Sequence, residues 1–202
     1  MAGKHKFQAI LFFGCPGSGK GTQGVVLGQM PNLVHLAMGD IFRALDKASD
    51  IGKEFLSYST KGSLVPDELT IRVFQHHVEG MVAAKKVVPE YHTLILDGIP
   101  RTQSQVTLLK DFIDVRCVIH LNMKDRDALI KRLASRASKS NRPDDADRSV
   151  IERRIRVYEE ETFPVLEMYP KSKILDINAD QAPLAVLRDI AQNLLPFVSS
   201  EI

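Results

Sequence analysis

Gly14-Cys15-Pro16-Gly17-Ser18-Gly19-Lys20-Gly21-Thr22-Gln23 follows an apolar run and fits the frame G-x-x-x-x-G-K. Glycines at this spacing let successive backbone N–H groups point into one concavity, and a following helix adds the positive end of its dipole. Lys20 would reach the outer phosphates of a nucleotide bound there. A second apolar run, Thr93–Leu96, ends in Asp97-Gly98-Ile99-Pro100-Arg101. An aspartate at a strand end facing such a loop is where Mg²⁺ or its water shell is held. Further cations stand at Arg43, Arg132, Arg136 and Arg142, and at the adjacent pair Arg153 and Arg154. Phosphoryl transfer needs in-line positioning and positive charge rather than covalent help, so no catalytic histidine or carboxylate pair is required. The balance of 27 basic against 25 acidic residues does not announce a nucleic-acid binder. The cations that matter must therefore be locally clustered.

One detail of the loop narrows the chemistry. GTPases and most ATPases place Ser or Thr directly after the lysine, whereas here Gly21 intervenes before Thr22. The string G-x-P-G-S-G-K-G-T-Q resembles the adenylate kinase family and its pyrimidine-nucleotide relatives. The resemblance runs from Gly14 to about Tyr169. It implies a nucleoside-monophosphate kinase that moves a phosphoryl group reversibly between Mg-ATP and a monophosphate. It assigns Gly17, Ser18, Gly19, Lys20, Gly21 and Thr22 to the ATP phosphates, helped by Arg132 and Arg136, with Asp97 holding Mg²⁺ through water. It assigns Met38, Gly39 and Arg43, Leu64 and Val65 of Gly62–Asp67, and Gly98, Arg101 and Gln105 to the monophosphate. Arg142 and one arginine of the following helix complete that site. Counting back from Tyr158 selects Arg154, and counting forward from Arg142 selects Arg153; the I-x-x-R-I-x-x-Y spacing within the helix favours Arg154. Lys20, Arg101, Arg132, Arg136, Arg142 and Arg154 are then the catalytic set. The backbone of Asp176–Asp180 is where relatives lay the ATP adenine.

The two positions that choose the acceptor base disagree. Adenylate kinases generally carry Thr where this chain has Met38, and pyrimidine-specific relatives usually carry Asn where it has Gln105. An amide presents a donor and an acceptor together, matching adenine's ring nitrogen and amine. Gln105 therefore favours AMP over UMP or CMP. Two other readings stay open: a nucleotide sensor that has lost catalysis, and a small-metabolite kinase on the same scaffold. The arginine set weighs against the first, and Gly62–Pro66 with Gln105 against the second.

The elements that must position these residues follow from periodicity. Ala9–Phe13, Thr93–Leu96, Cys117–Leu121 and Ile174–Ile177 read as buried parallel strands, with Val34–Leu36 a fifth. Helices are predicted over Thr22–Met30, Asp67–Ala84, Gln103–Phe112 (with Val106, Leu109 and Ile113 on its stripe), Asp125–Ala137, Ser149–Glu161 and Ala185–Leu195, with Asp67 capping the second and Pro164 ending the fifth. Strand–helix alternation predicts an α/β fold, a P-loop NTPase-like doubly wound parallel sheet of about five strands with helices on both faces. The 202 residues, 44% apolar and 26% charged, suit one domain. The expected layout is a core of 1–36, 67–131 and 147–202, a monophosphate-binding lobe of about 37–66 and a short lid of about 132–146. A lid of that length excludes the inserted, often zinc-binding, lobe of long-type relatives, so no zinc is expected. Cys15 and Cys117 are expected as small buried residues. With no span of roughly 20 apolar residues and no signal-like leader, a cytoplasmic chain is expected, and a monomer is the family expectation.

Overall fold

The computed structural model of the chain describes residues 6–139 and 147–198. Five strands form one parallel sheet: β1 Phe7–Gly14, β2 Leu33–Ala37, β3 Thr93–Asp97, β4 Ile113–Asn122 and β5 Ile174–Asn178, in the order β2-β3-β1-β4-β5. Each apolar run read from the sequence lies inside one of them. Consecutive apolar residues serve opposite faces. Ala9, Leu11 and Phe13 join one core with Leu94 and Leu96, while Ile10 and Phe12 join the other with Ile95 and Ile119.

Helices α1 Lys20–Leu27, α2 Met38–Arg43, α3 Asp50–Ser59, α4 Asp67–Ala83, α5 Gln103–Leu109, α6 Arg126–Lys139, α7 Arg148–Val157 and α8 Pro183–Leu194 surround the sheet. On one face α4 buries Leu69, Val73, Phe74 and Val78. On the other, α8 buries Val186, Ile190 and Leu194 beside Leu27 of α1. Each such side chain contributes about 1.5–3 kcal/mol when fully buried. A third cluster joins Cys15 to Leu129 and Leu133 of α6 and Ile151 and Ile155 of α7, seating both helices behind the glycine-rich loop.

Several boundaries differ from expectation for identifiable reasons. Helix α1 stops at Leu27 because Gly28 caps it. Helix α5 stops at Leu109, and Ile113 begins β4 instead of continuing the helical stripe; β4 needs it beside Phe7 of β1. After α7 the chain widens into a π turn, Tyr158–Thr162, then tightens into a 3₁₀ segment with Pro164 in its first turn. Proline lacks the N–H an α-helix would use there, so the axis continues in altered form rather than ending. Helices α2 and α3 lie in the segment read only as a lobe. Pro66, not Asp67, occupies the cap position of α4, and Asp67 is its first residue.

The strand order sets the site. The chain leaves β1 for β2 and β3 on one side, then crosses to β4 and β5 on the other. Ligands of doubly wound sheets bind beyond the carboxyl ends of the strands at such a reversal. Register places Phe12 opposite Asp97, and Asp97 opposite Ala37, so the ends of β1, β3 and β2 converge.

Candidate active site

Gly14, Gly17 and Gly19 have φ of 144°, 90° and 103°. Left-handed backbone of this kind is open to glycine at little cost. It turns the loop around a hollow at the start of α1, where Gly19 is the cap residue. Ser18 is buried, and its hydroxyl has no protein partner among the described residues. The Lys20 Nζ donates to the carbonyls of Gly14 at 2.6 Å and Cys15 at 3.2 Å. Burial pushes the Lys20 ammonium down to about 8, with Asp97 opposing that shift and Arg101 adding to it. Burial pushes the Cys15 thiol up to about 11, which suits a packing residue and not a nucleophile.

The depressed Lys20 value has a measurable consequence. A bound polyphosphate favours the charged ammonium, so its pKa must rise on binding. ATP binding at pH 8.5–9 is expected to take up a fraction of a proton, up to about one, and binding near pH 6.5 none through this group. Calorimetry in two buffers of different ionisation enthalpy reads the uptake directly. Equal heats in both buffers at pH 8.5 would contradict the assignment, and Lys20→Met should abolish any difference.

Asp97 ends β3 beside the loop. Burial pushes its carboxyl up, but the His35 ring, Lys20 and Arg101 outweigh this and hold it below the ordinary carboxylate value. His35 Nε2 stands 3.9 Å from Asp97 Oδ2, too far for a direct hydrogen bond. A Cβ placed on Gly21 would lie 3.7 Å from Asp97 Oδ2, which puts the carboxylate against the first turn of α1. Among the described residues no group of three or more His, Cys, Asp or Glu stands ready to hold a metal. A single ionised carboxylate facing a phosphate cradle fits a magnesium ion that brings its own waters and would share phosphate oxygens.

A second cation group gathers on the other side of Asp97. The Ile99–Pro100 peptide is cis, and Arg101 Nε donates to the Gly98 carbonyl at 2.9 Å. Burial, then Arg154, then Arg43 weigh against the Arg101 charge, with Asp97 opposing them. Cations held close against their mutual repulsion form an anion site. Arg43 pairs with Asp40 at 2.5 Å, one turn back on α2. Arg154 of α7 packs against Gly62, where a Cβ would meet its Cγ at 3.0 Å. That glycine has φ 70°, so the close approach and the backbone turn both select it.

One cavity of about 1370 Å³ joins the two groups. Its wall includes Gly17, Ser18, Gly19, Lys20, Gly21 and Thr22 at one end, and Met38, Gly39, Arg43, Leu64 and Val65 at the other. Asp97, Gly98, Arg101, Gln105, Arg132, Arg136 and Arg154 line it as well, and Arg153 does not. Arg132 and Arg136 project from α6, which continues through the start of the segment expected as a lid. Arg142 and the rest of that segment, 140–146, lie outside the described residues. Met38, though part of the wall, is largely buried in the core, in keeping with a side chain that packs where a hydroxyl would bond.

Two wall or near-wall residues escaped the sequence reading. His35 is an inward residue near the end of β2, and only the pairing of β2 with β3 brings it to Asp97. Asp67, expected as a cap, turns instead to α5, where it accepts hydrogen bonds from Thr102 and Gln105. The run P-D-E matched a cap, and no local signal marks its long-range partners.

A parallel sheet with a glycine-rich loop after its first strand, a carboxylate on the neighbouring strand and two facing cation groups define a P-loop phosphotransferase. The family model described as "Adenylate kinase" matches residues 12–174. The chain is 36% identical over 170 residues to an adenylate kinase of Flavobacterium psychrophilum, covering 81% of this chain and 85% of that one. It is 34% identical over 193 residues to an adenylate kinase of Synechococcus sp., covering 92% and 95%. It is 32% identical over 192 residues to "Adenylate kinase 1" of Nostoc sp., covering 92% and 97%. The chain belongs to the adenylate kinase family. Among the described residues no helix is long and apolar enough to cross a membrane.

Proposed function

We propose that this enzyme transfers the γ-phosphoryl group of Mg-ATP to AMP, reversibly, giving two ADP. A phosphate oxygen of AMP forms the new bond to the γ-phosphorus, the bond from that phosphorus to the bridging oxygen breaks, and ADP leaves with the bond's electrons. The single observation that carries this reading is the continuous cavity of about 1370 Å³ with cations at both ends. Ordinary ligand pockets hold about 300–1,000 Å³, so this one suits two nucleotides rather than one.

In this reading the loop from Gly17 to Thr22 and Lys20 hold the ATP phosphates, aided by Arg132 and Arg136. Arg43, Arg101, Arg142 and Arg154 hold the acceptor phosphate, and Leu64, Val65 and Gln105 meet its base. Magnesium, held near Asp97 through water, would supply further positive charge to the outer phosphates. The protein's own cations offset the repulsion between two polyanions, which is the main demand of the reaction. The Met38–Val65 region is a natural moving part, and closure over both substrates would keep water from competing as acceptor. Two free buried thiols support a cytoplasmic setting, and a monomer is part of the same reading.

The test is turnover of Mg-ATP with AMP, CMP, UMP, GMP and small alcohols, followed as ADP produced. AMP is expected to be the best acceptor. A preference for UMP or CMP would move the enzyme to the pyrimidine branch, and no turnover with any acceptor would make it a sensor.

A further inference from the structure

Asp67 opens α4, but its carboxylate serves another element. Its Oδ2 accepts from Thr102 Oγ1 at 2.9 Å, and its Oδ1 accepts from Gln105 Nε2 at 2.8 Å. On the other side of the same amide, Gln105 Oε1 accepts from the Arg101 N–H at 2.7 Å. Thr102 Oγ1 also accepts from the Gln105 N–H at 3.1 Å, closing the ring of contacts at the start of α5. A carboxylate is an acceptor only, and a backbone N–H is a donor only. Turning the Gln105 amide over would set oxygen against oxygen and N–H against N–H. Gln105 is 2% exposed, so water cannot repair that mismatch. The amide therefore has one orientation. One of its N–H groups and one lone pair are engaged, and the remaining ones are what Gln105 brings to the cavity it lines.

We propose that Asp67 is a specificity-determining positioning residue: by locking the Gln105 amide it fixes the order of donor and acceptor offered to the acceptor base. This rests on the reading that Gln105 meets that base. Adenine and cytosine present a ring-nitrogen acceptor beside an amino donor. Hypoxanthine, guanine and uracil present a ring N–H beside an exocyclic oxygen, the reverse order. The acceptor's phosphate is tethered by Arg43 and Arg101, so its base cannot turn over to compensate. Inosine monophosphate has the outline of AMP, yet it would set donor against donor and acceptor against acceptor. Buried polar groups left unpaired in this way discriminate far more strongly than shape does.

The experiment is kcat/KM for AMP, inosine monophosphate and CMP with the intact wild-type chain, Asp67→Asn and Asp67→Ala, each checked by thermal melting. The wild type is expected to prefer AMP to inosine monophosphate by at least about 100-fold. That preference is expected to fall at least about tenfold in Asp67→Ala, where only the Arg101 N–H still opposes a turn of the amide. It should fall less, about threefold, in Asp67→Asn, whose own amide can face either way. The ratio of AMP to CMP, whose bases share one order, should stay within about twofold, and KM for ATP should not move. Should the alanine variant fail to fold, the asparagine variant carries the test. An undiminished preference in the variants, with turnover falling equally for all acceptors, would reduce Asp67 to a structural contact and overturn the lock alone. A wild type without preference for AMP over inosine monophosphate would overturn both the lock and the reading on which it rests.

Discussion

Lys20→Met is expected to lower kcat about 10²–10³-fold, the cost of removing one well-placed group that stabilises transition-state charge. The residue stands at the start of α1 with its ammonium over the glycine-rich loop, where Asp97 feels its charge and Arg101 weighs on it. Its position is electrostatically costly to the fold, because burial depresses its pKa to about 8. A cation kept there against this cost is of use only when phosphate is bound. Methionine fills much of the same space without the charge. The melting temperature should therefore hold or rise while turnover falls. A coupled assay of ADP formation and a thermal melt on the same preparation separate the two effects. Turnover within about threefold of wild type would remove Lys20 from the catalytic set.

The second large effect concerns adjacent arginines. Arg154→Ala is expected to lower turnover about 100-fold and to raise KM for the acceptor, and Arg153→Ala to leave both within about threefold. Neighbouring helix residues point about 100° apart, so α7 can aim only one of the two inward. Arg154 lines the cavity, is backed by Gly62 and weighs on the Arg101 charge. Arg154 has further contacts in the folded chain, so the melt of each variant is the necessary control. The reverse pattern, with Arg153→Ala crippled and Arg154→Ala normal, would mean that α7 presents its other face to substrate.

Much of this arrangement was legible in the chain because phosphate chemistry leaves local marks. The glycine-rich loop needs positive φ at fixed intervals and a lysine at a fixed offset, and both are written in consecutive residues. The strands were legible because a parallel sheet buried on both faces requires unbroken apolar runs. The lobe that holds α2 and α3 was less so. Phe42 and Phe55 stack at 4.8 Å across those two short helices, and Met38 and Phe42 reach the main core from them. Their apolar stripes are too brief to read as periodic, and tertiary packing completes them. The π turn at Tyr158–Thr162 was invisible for a similar reason: it resolves the conflict between a continuing helix and Pro164.

By itself the sequence determined the sheet, the phosphate loop and the presence of enough arginines for two anions, because each depends on residues close together in the chain. Only the tertiary structure decided which arginine of α7 faces the cavity, because that depends on the rotation of a helix fixed by Ile151 and Ile155 packing under Cys15. The same holds for Asp67. Its carboxylate had a plausible local use at a helix start, but Thr102 and Gln105, 35 and 38 residues away, compete for it. They prevail because a nearly buried amide must have its hydrogen bonds satisfied, whereas the start of α4 still has its acidic first turn.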